Sequence, residues 1–172
     1  MRRALLLWGA VLSLLGSFTC NAAEFSFDVA KPKFSVILPG IPQMAMGTHP
    51  MNATQPHLRY QGSEGPYTVS VFTPAAAAGM TPLECASATV RTLAARAGVP
   101  PAAQIYKARL NDTTYVAIYA ETLPGGAHLH AHFLSAAGGT HCIEVHASRI
   151  STSDDDLAPW FEDSMKGSIK PD

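Results

Sequence analysis

Two stretches of period-two sequence flanking a glycine pair constrain this chain's fold more than any other feature. Ala127–Ala136 reads Ala-His-Leu-His-Ala-His-Phe-Leu-Ser-Ala, and Thr140–Arg149 reads Thr-His-Cys-Ile-Glu-Val-His-Ala-Ser-Arg. Successive side chains on a strand point to opposite faces. His128, His130 and His132 therefore share one face, with Leu129, Ala131 and Phe133 opposite. In the second stretch Ile143, Val145 and Ala147 share a face, with Cys142, Glu144 and His146 opposite. Ala137-Gly138-Gly139 joins the two as a hairpin. A three-residue loop there pairs Phe133 with Ile143 and Ala131 with Val145 on the apolar face. On the polar face it pairs His132 with Glu144 and His130 with His146. Matching apolar with apolar and polar with polar is how a half-buried sheet sets its register.

The rest of the chain extends this sheet. Phe25–Val29 and Phe34–Pro39 read as strands, the second stopped by Pro39-Gly40. Residues 40–56, with three prolines and three methionines, read as a long loop, and loops of that length are often functional. His57–Gln61 and Tyr67–Phe72 form a hairpin across Ser63-Glu64-Gly65-Pro66. Thr81-Pro82-Leu83-Glu84 is a capping-box helix start with proline at the first helical position. Leu83, Ala86, Val90, Leu93, Ala94 and Ala97 then lie on one stripe, and Gly98 and Pro100 end the helix. Ile105–Leu110 and Thr114–Thr122, turning at Asn111-Asp112, lead through Pro124-Gly125-Gly126 into the histidine strands as a four-stranded meander. Asp154-Asp155-Asp156 suits a helix N-terminus better than a calcium loop. Leu157, Trp160, Phe161, Ser164, Met165, Ser168 and Ile169 form one face of a final helix, with Pro159 confined to its first turn. The order is ββββ-α-ββββ-α, about eight strands and two helices, an α+β domain of mostly antiparallel sheet.

The N-terminus bears on location. Met1-Arg2-Arg3, an apolar run from Ala4 to Phe18 and small residues to Ala23 read as a secretory signal peptide over 1–23, leaving one domain over 24–172. Cys20 raises a lipoprotein alternative, but Ser-Phe-Thr before it is a poor lipidation context. Without Arg2 and Arg3 the chain carries 10 basic and 13 acidic residues. So mild a charge does not point to nucleic acid or an anionic membrane as partner. No apolar run after the leader is long enough to span a bilayer. Cys85 and Cys142 then remain as an even pair. In an exported protein that suggests one disulfide, the alternative being two separate buried thiols.

This order, with Phe34-Ser35-Val36-Ile37-Leu38-Pro39 near the start, the Tyr67–Phe72 hairpin, the middle helix, the meander and the closing Trp160-Phe161-Glu162-Asp163-Ser164-Met165, resembles the PsbP-like α+β sandwich superfamily. The resemblance implies a non-enzymatic exported domain. Its members include photosystem accessory proteins, envelope lipoproteins and immunity proteins that neutralise secreted cell-wall-attacking toxins. No catalytic residue carries over.

Two functions follow as expectations. The first is a periplasmic, non-enzymatic module that binds a protein partner and needs no cofactor. Its most concrete form is an immunity protein occluding a secreted peptidoglycan-degrading effector. Contacts would come from the long loop, through Met44, Met46, His49 and Met51, or from loop tips at Gly125 and Gly138. The second is a metal-binding protein. His-x-His on a strand, with imidazole and carboxylate donors nearby, suits zinc. His130, His132, Glu144 and His146 would be its ligands, on a face shared with His128. The plain alternative is a polar sheet face where histidines pair across strands. Catalytic patterns are lacking. There is no Gly-x-Ser-x-Gly elbow, and adjacent His141 and Cys142 point to opposite faces, which argues against a Cys–His pair.

Overall fold

The alternation along the chain becomes ten strands and two helices in the computed structural model, which describes residues 23–172. Residues 1–22, most of the expected leader and Cys20 with it, lie outside the described residues. The strands are β1 (Glu24–Ala30), β2 (Lys33–Pro39), β3 (Gly47–Thr48), β4 (Leu58–Glu64), β5 (Tyr67–Phe72), β6 (Tyr106–Arg109), β7 (Tyr115–Leu123), β8 (Gly126–Ala137), β9 (His141–Ser151) and β10 (Ser168–Pro171). The helices are α1 (Pro82–Ala94) and α2 (Leu157–Ser164). The fold is α+β with antiparallel pairing throughout. A three-stranded sheet runs β1-β2-β10, and a seven-stranded sheet runs β3-β4-β5-β9-β8-β7-β6.

The large sheet is covered on both faces. Leu129, Ala131 and Phe133 of β8 and Ile143, Val145 and Ala147 of β9 meet Phe25, Val36 and Leu38 of the small sheet, with Trp160 of α2, in the main core. The opposite face carries α1, where Ala86 and Val90 pack on Ala117, Tyr119 and Leu134. α1 starts as expected. Thr81 accepts the Glu84 N–H, and Glu84 accepts the Thr81 N–H at 2.8 Å. It stops at Ala94, short of the expected Gly98.

Three expectations are corrected. The strand count is ten, because Gly47–Thr48 pairs with β4 inside the long loop and Ser168–Pro171 is a strand. The final helix therefore ends at Ser164 instead of running to Ile169. β10 supplies the ladder that β2 lacks on its second side, and the Ile169 N–H and C=O also bond the buried Thr114 hydroxyl. Helical spacing and a two-residue strand contact coincide over Ser168-Ile169, so periodicity alone did not separate them. Third, the β8–β9 register is shifted by two residues. Phe133 pairs with Val145, Ala131 with Ala147 and His132 with His146. The turn is Gly138-Gly139-Thr140, with Gly138 and Gly139 at φ 57° and 66°, where glycine is strongly favoured. An even shift leaves every side chain on its expected face.

Candidate functional site

The face beneath α1 gathers the histidines. From β8 come His128, His130 and His132, from β9 Glu144 and His146, and from β7 Tyr119 and Glu121. The pleat puts all of them on one side because they share parity along paired strands. His130 and His132 are only 5% and 1% exposed, and His146 and Glu144 are half-buried.

The rings form a stacked array. His132 and His146 lie parallel, 4.2 Å apart with planes 5° off, and Tyr119 stacks on His130 at 4.6 Å. His128 sits 3.9 Å from His130 in a tilted arrangement. The hydrogen bonds run diagonally across the strands. Nδ1 of His130 is 2.9 Å from Nε2 of His146, and Nδ1 of His132 is 2.8 Å from the Glu144 carboxylate. These are the two side-chain contacts expected from the sequence, reached along diagonals that long side chains can span. Glu144 accepts only from N–H, so it fixes the proton of His132 on Nδ1. His132 Nε2 then accepts from the Tyr119 hydroxyl across a long 3.4 Å. Nε2 of His130 is buried with no hydrogen-bond partner, and the Glu121 carboxylate stands 3.8 Å off.

Burial holds two of the rings, His130 and His146, against protonation. Removal from water, reinforced by the neighbouring His128 and His132, pulls the His130 pKa down to about 3. His146 is held well below its ordinary value, first by burial and then by the other histidines and Arg96. Burial also pushes the Tyr119 hydroxyl up to about 12, helped by Glu121. Neutral imidazoles have lone pairs to offer, as metal binding requires.

The array is not sealed. A cleft of about 390 Å³ opens between sheet and helix, with His132, Glu144 and His146 on its floor and Ala88, Thr92 and Arg96 on the helix side. At the edge of this cleft Cys85 of α1 is bonded to Cys142 of β9, so the expected disulfide is present.

One ring nitrogen from each of His130, His132 and His146 lies within 4.8 Å of the other two. Zinc ligation at about 2.0–2.1 Å places tetrahedral nitrogens about 3.4 Å apart, so rotamer adjustments would close the set around an ion. The donors fit such a metal. They are imidazoles, two of them held against protonation by burial and one oriented by a carboxylate in the manner that strengthens histidine ligands. Glu144 holds His132 and does not itself complete the three-nitrogen cluster. Glu121 and Tyr119 were missed from the sequence. Glu121 pairs with His128 across the tight turn at Pro124-Gly125, and carrying the hairpin register through that turn would have found it.

The other candidate contact residues scatter. Met44 is buried in the core at 6% exposure, and Met46 packs partly buried against it. His49 is half-buried, while Met51, Gly125 and Gly138 are exposed. No helix among the described residues is long and apolar enough to cross a membrane. The chain matches no protein-family model and no curated protein.

Proposed function

We propose that this chain is an exported metal-binding protein of the bacterial envelope, holding a divalent transition metal such as zinc on His130, His132 and His146. The single observation that carries the reading is the buried three-imidazole cluster, two of whose rings, His132 and His146, line the floor of an open cleft. Burying several imidazoles side by side is costly, and an ion held between the three rings would offset that cost. Export is supported by the charged-then-apolar N-terminal segment and by the Cys85–Cys142 bond, since disulfides persist in oxidising compartments. A PsbP-like ancestry is compatible with an exported binding domain. The expected toxin-occluding role would draw on loop tips such as Gly125 and Gly138. Both are turn glycines at positive φ, so their geometry already has a local cause, whereas the histidine cluster has none.

The test is equilibrium dialysis of chelator-stripped protein against zinc, read by elemental analysis. Wild type is expected to retain zinc stoichiometrically, and His132→Ala/His146→Ala to lose it. Glu144→Gln keeps the fold and is expected to weaken affinity about 10–100-fold through the oriented His132. A folded, disulfide-intact wild type that retains no zinc refutes the reading.

A further inference from the structure

The two nitrogens of His130 face different donor sets. Nδ1 looks toward His146, 2.9 Å away, within the three-histidine cluster. Nε2 looks the other way, toward the Glu121 carboxylate at 3.8 Å. Glu121, His128 and His130 form a second group whose donor atoms also lie within 4.8 Å of one another. The residues of this second group come from β7 and β8, and the β9 residues take no part in it. We propose that the protein holds two divalent transition-metal ions, the second on Glu121, His128 and Nε2 of His130, with the His130 ring bridging the pair. This rests on the metal-binding reading above and adds a second ion to it.

Three observations converge on the second position. Nε2 of His130 is buried and lacks any hydrogen-bond partner, while the ring as a whole is 5% exposed. A buried donor or acceptor without a partner is costly and calls for a ligand. The Glu121 carboxylate stands 3.8 Å from it, too far for a good hydrogen bond and at a separation a cation between the two would fill. His128, half-buried and 3.9 Å from His130 ring to ring, brings a second imidazole to the same spot. Imidazole plus carboxylate is a donor set suited to zinc or copper(II).

The chemistry balances simply. A neutral imidazole has one lone pair and one N–H. Bridging uses both nitrogens as donors, so the ring gives up its N–H proton to water as the second ion binds, and the anionic ring is shared between two cations. The Tyr119 ring stacked on His130 limits its rotation and holds it in the bridging orientation.

Copper(II) is the probe, because two copper ions joined through one imidazole ring are magnetically coupled. Chelator-stripped protein is titrated with copper(II), and bound metal is counted alongside the electron paramagnetic resonance intensity. Expected are two ions per chain and a signal that rises over the first equivalent and falls over the second. Glu121→Gln/His128→Gln, which leaves the three-histidine cluster intact, is expected to bind one ion with full signal. Two bound ions with additive, uncoupled signals overturn the bridge. One ion in the wild type overturns the second position while leaving the first reading standing. No copper and no zinc overturns both.

Discussion

Acidifying the metal-free protein is expected to destabilise it between pH 7 and pH 5. His130 is neutral in the fold, with its pKa drawn down from 6.5 to about 3. When the chain unfolds the ring regains its ordinary pKa and takes up a proton below pH 6.5. The unfolded state then binds more protons than the native state, so stability is complete above pH 6.5 and falls as the pH drops toward 3. The loss is about 1.4 kcal/mol per pH unit for one ring. At pH 5 that is about 2 kcal/mol. His146 is shifted in the same direction and adds to the loss, which is already a sizeable part of the ~5–15 kcal/mol typical of a domain. The other groups with shifted pKa values act outside this window. The depressed carboxylates of Glu84 and Asp156 act only below their ordinary range, and the raised Lys33 acts only in alkali. The assay is urea unfolding of chelator-stripped protein at pH 8 and pH 5, followed by fluorescence of Trp160, the one tryptophan beyond the leader. The midpoint is expected to drop by roughly 1–2 M, given slopes of ~1–3 kcal/mol per M. Equal midpoints refute buried neutral histidines. So does an undiminished drop in His130→Gln/His146→Gln.

Other perturbations probe the frame around the site. Cys85→Ser/Cys142→Ser opens a bridge spanning a sequence separation of 57. By loop entropy that costs about 4 kcal/mol, and amide exchange is expected to speed up over Pro82–Ala94 before the large sheet. Phe133→Ala empties a fully buried position between the sheets and is expected to cost about 3–5 kcal/mol in urea unfolding. Thr81→Ala removes the capping box, with an expected loss of about 1 kcal/mol and little change in zinc retention. Gly167→Ala drives a methyl into the Phe133 ring, and its expected cost of about 1–3 kcal/mol shows as a lower thermal midpoint.

What the sequence revealed depended on whether neighbours or distant partners decide the structure. The α1 start was legible because Thr81, Pro82 and Glu84 act on one another over three residues. The faces of β8 and β9 were legible because period two survives any even slip. The exact pairing was not, since whether Ala137 or Thr140 joins the two glycines in the turn depends on backbone angles that both sequences permit. β10 was hidden for a stronger reason. Ser168–Pro171 is a strand because β2, more than 130 residues earlier, presents an unpaired edge. At the site, His130, His132, Glu144 and His146 were legible from parity alone. Tyr119 and Glu121 needed a third strand, and Arg96 needed the helix to be laid over the sheet.

The polar array also explains why a disulfide sits where it does. A helix is usually held on a sheet by apolar area, at roughly 25 cal/mol per Å². Here histidines and Glu144 share the face that α1 covers with a small apolar cluster of Ala86, Val90, Ile105, Ala117, Tyr119 and Leu134. The opposite face of the same sheet, packed with Phe133, Leu129 and Ile143, needs no such help. Cys85–Cys142 ties α1 to β9 two residues from Glu144, compensating for apolar surface given up to the imidazoles. It also keeps the cleft above the histidines from collapsing or lifting away. A face that carries this many polar side chains leaves its roof less apolar area to rest on, and the covalent bond adds to that contact.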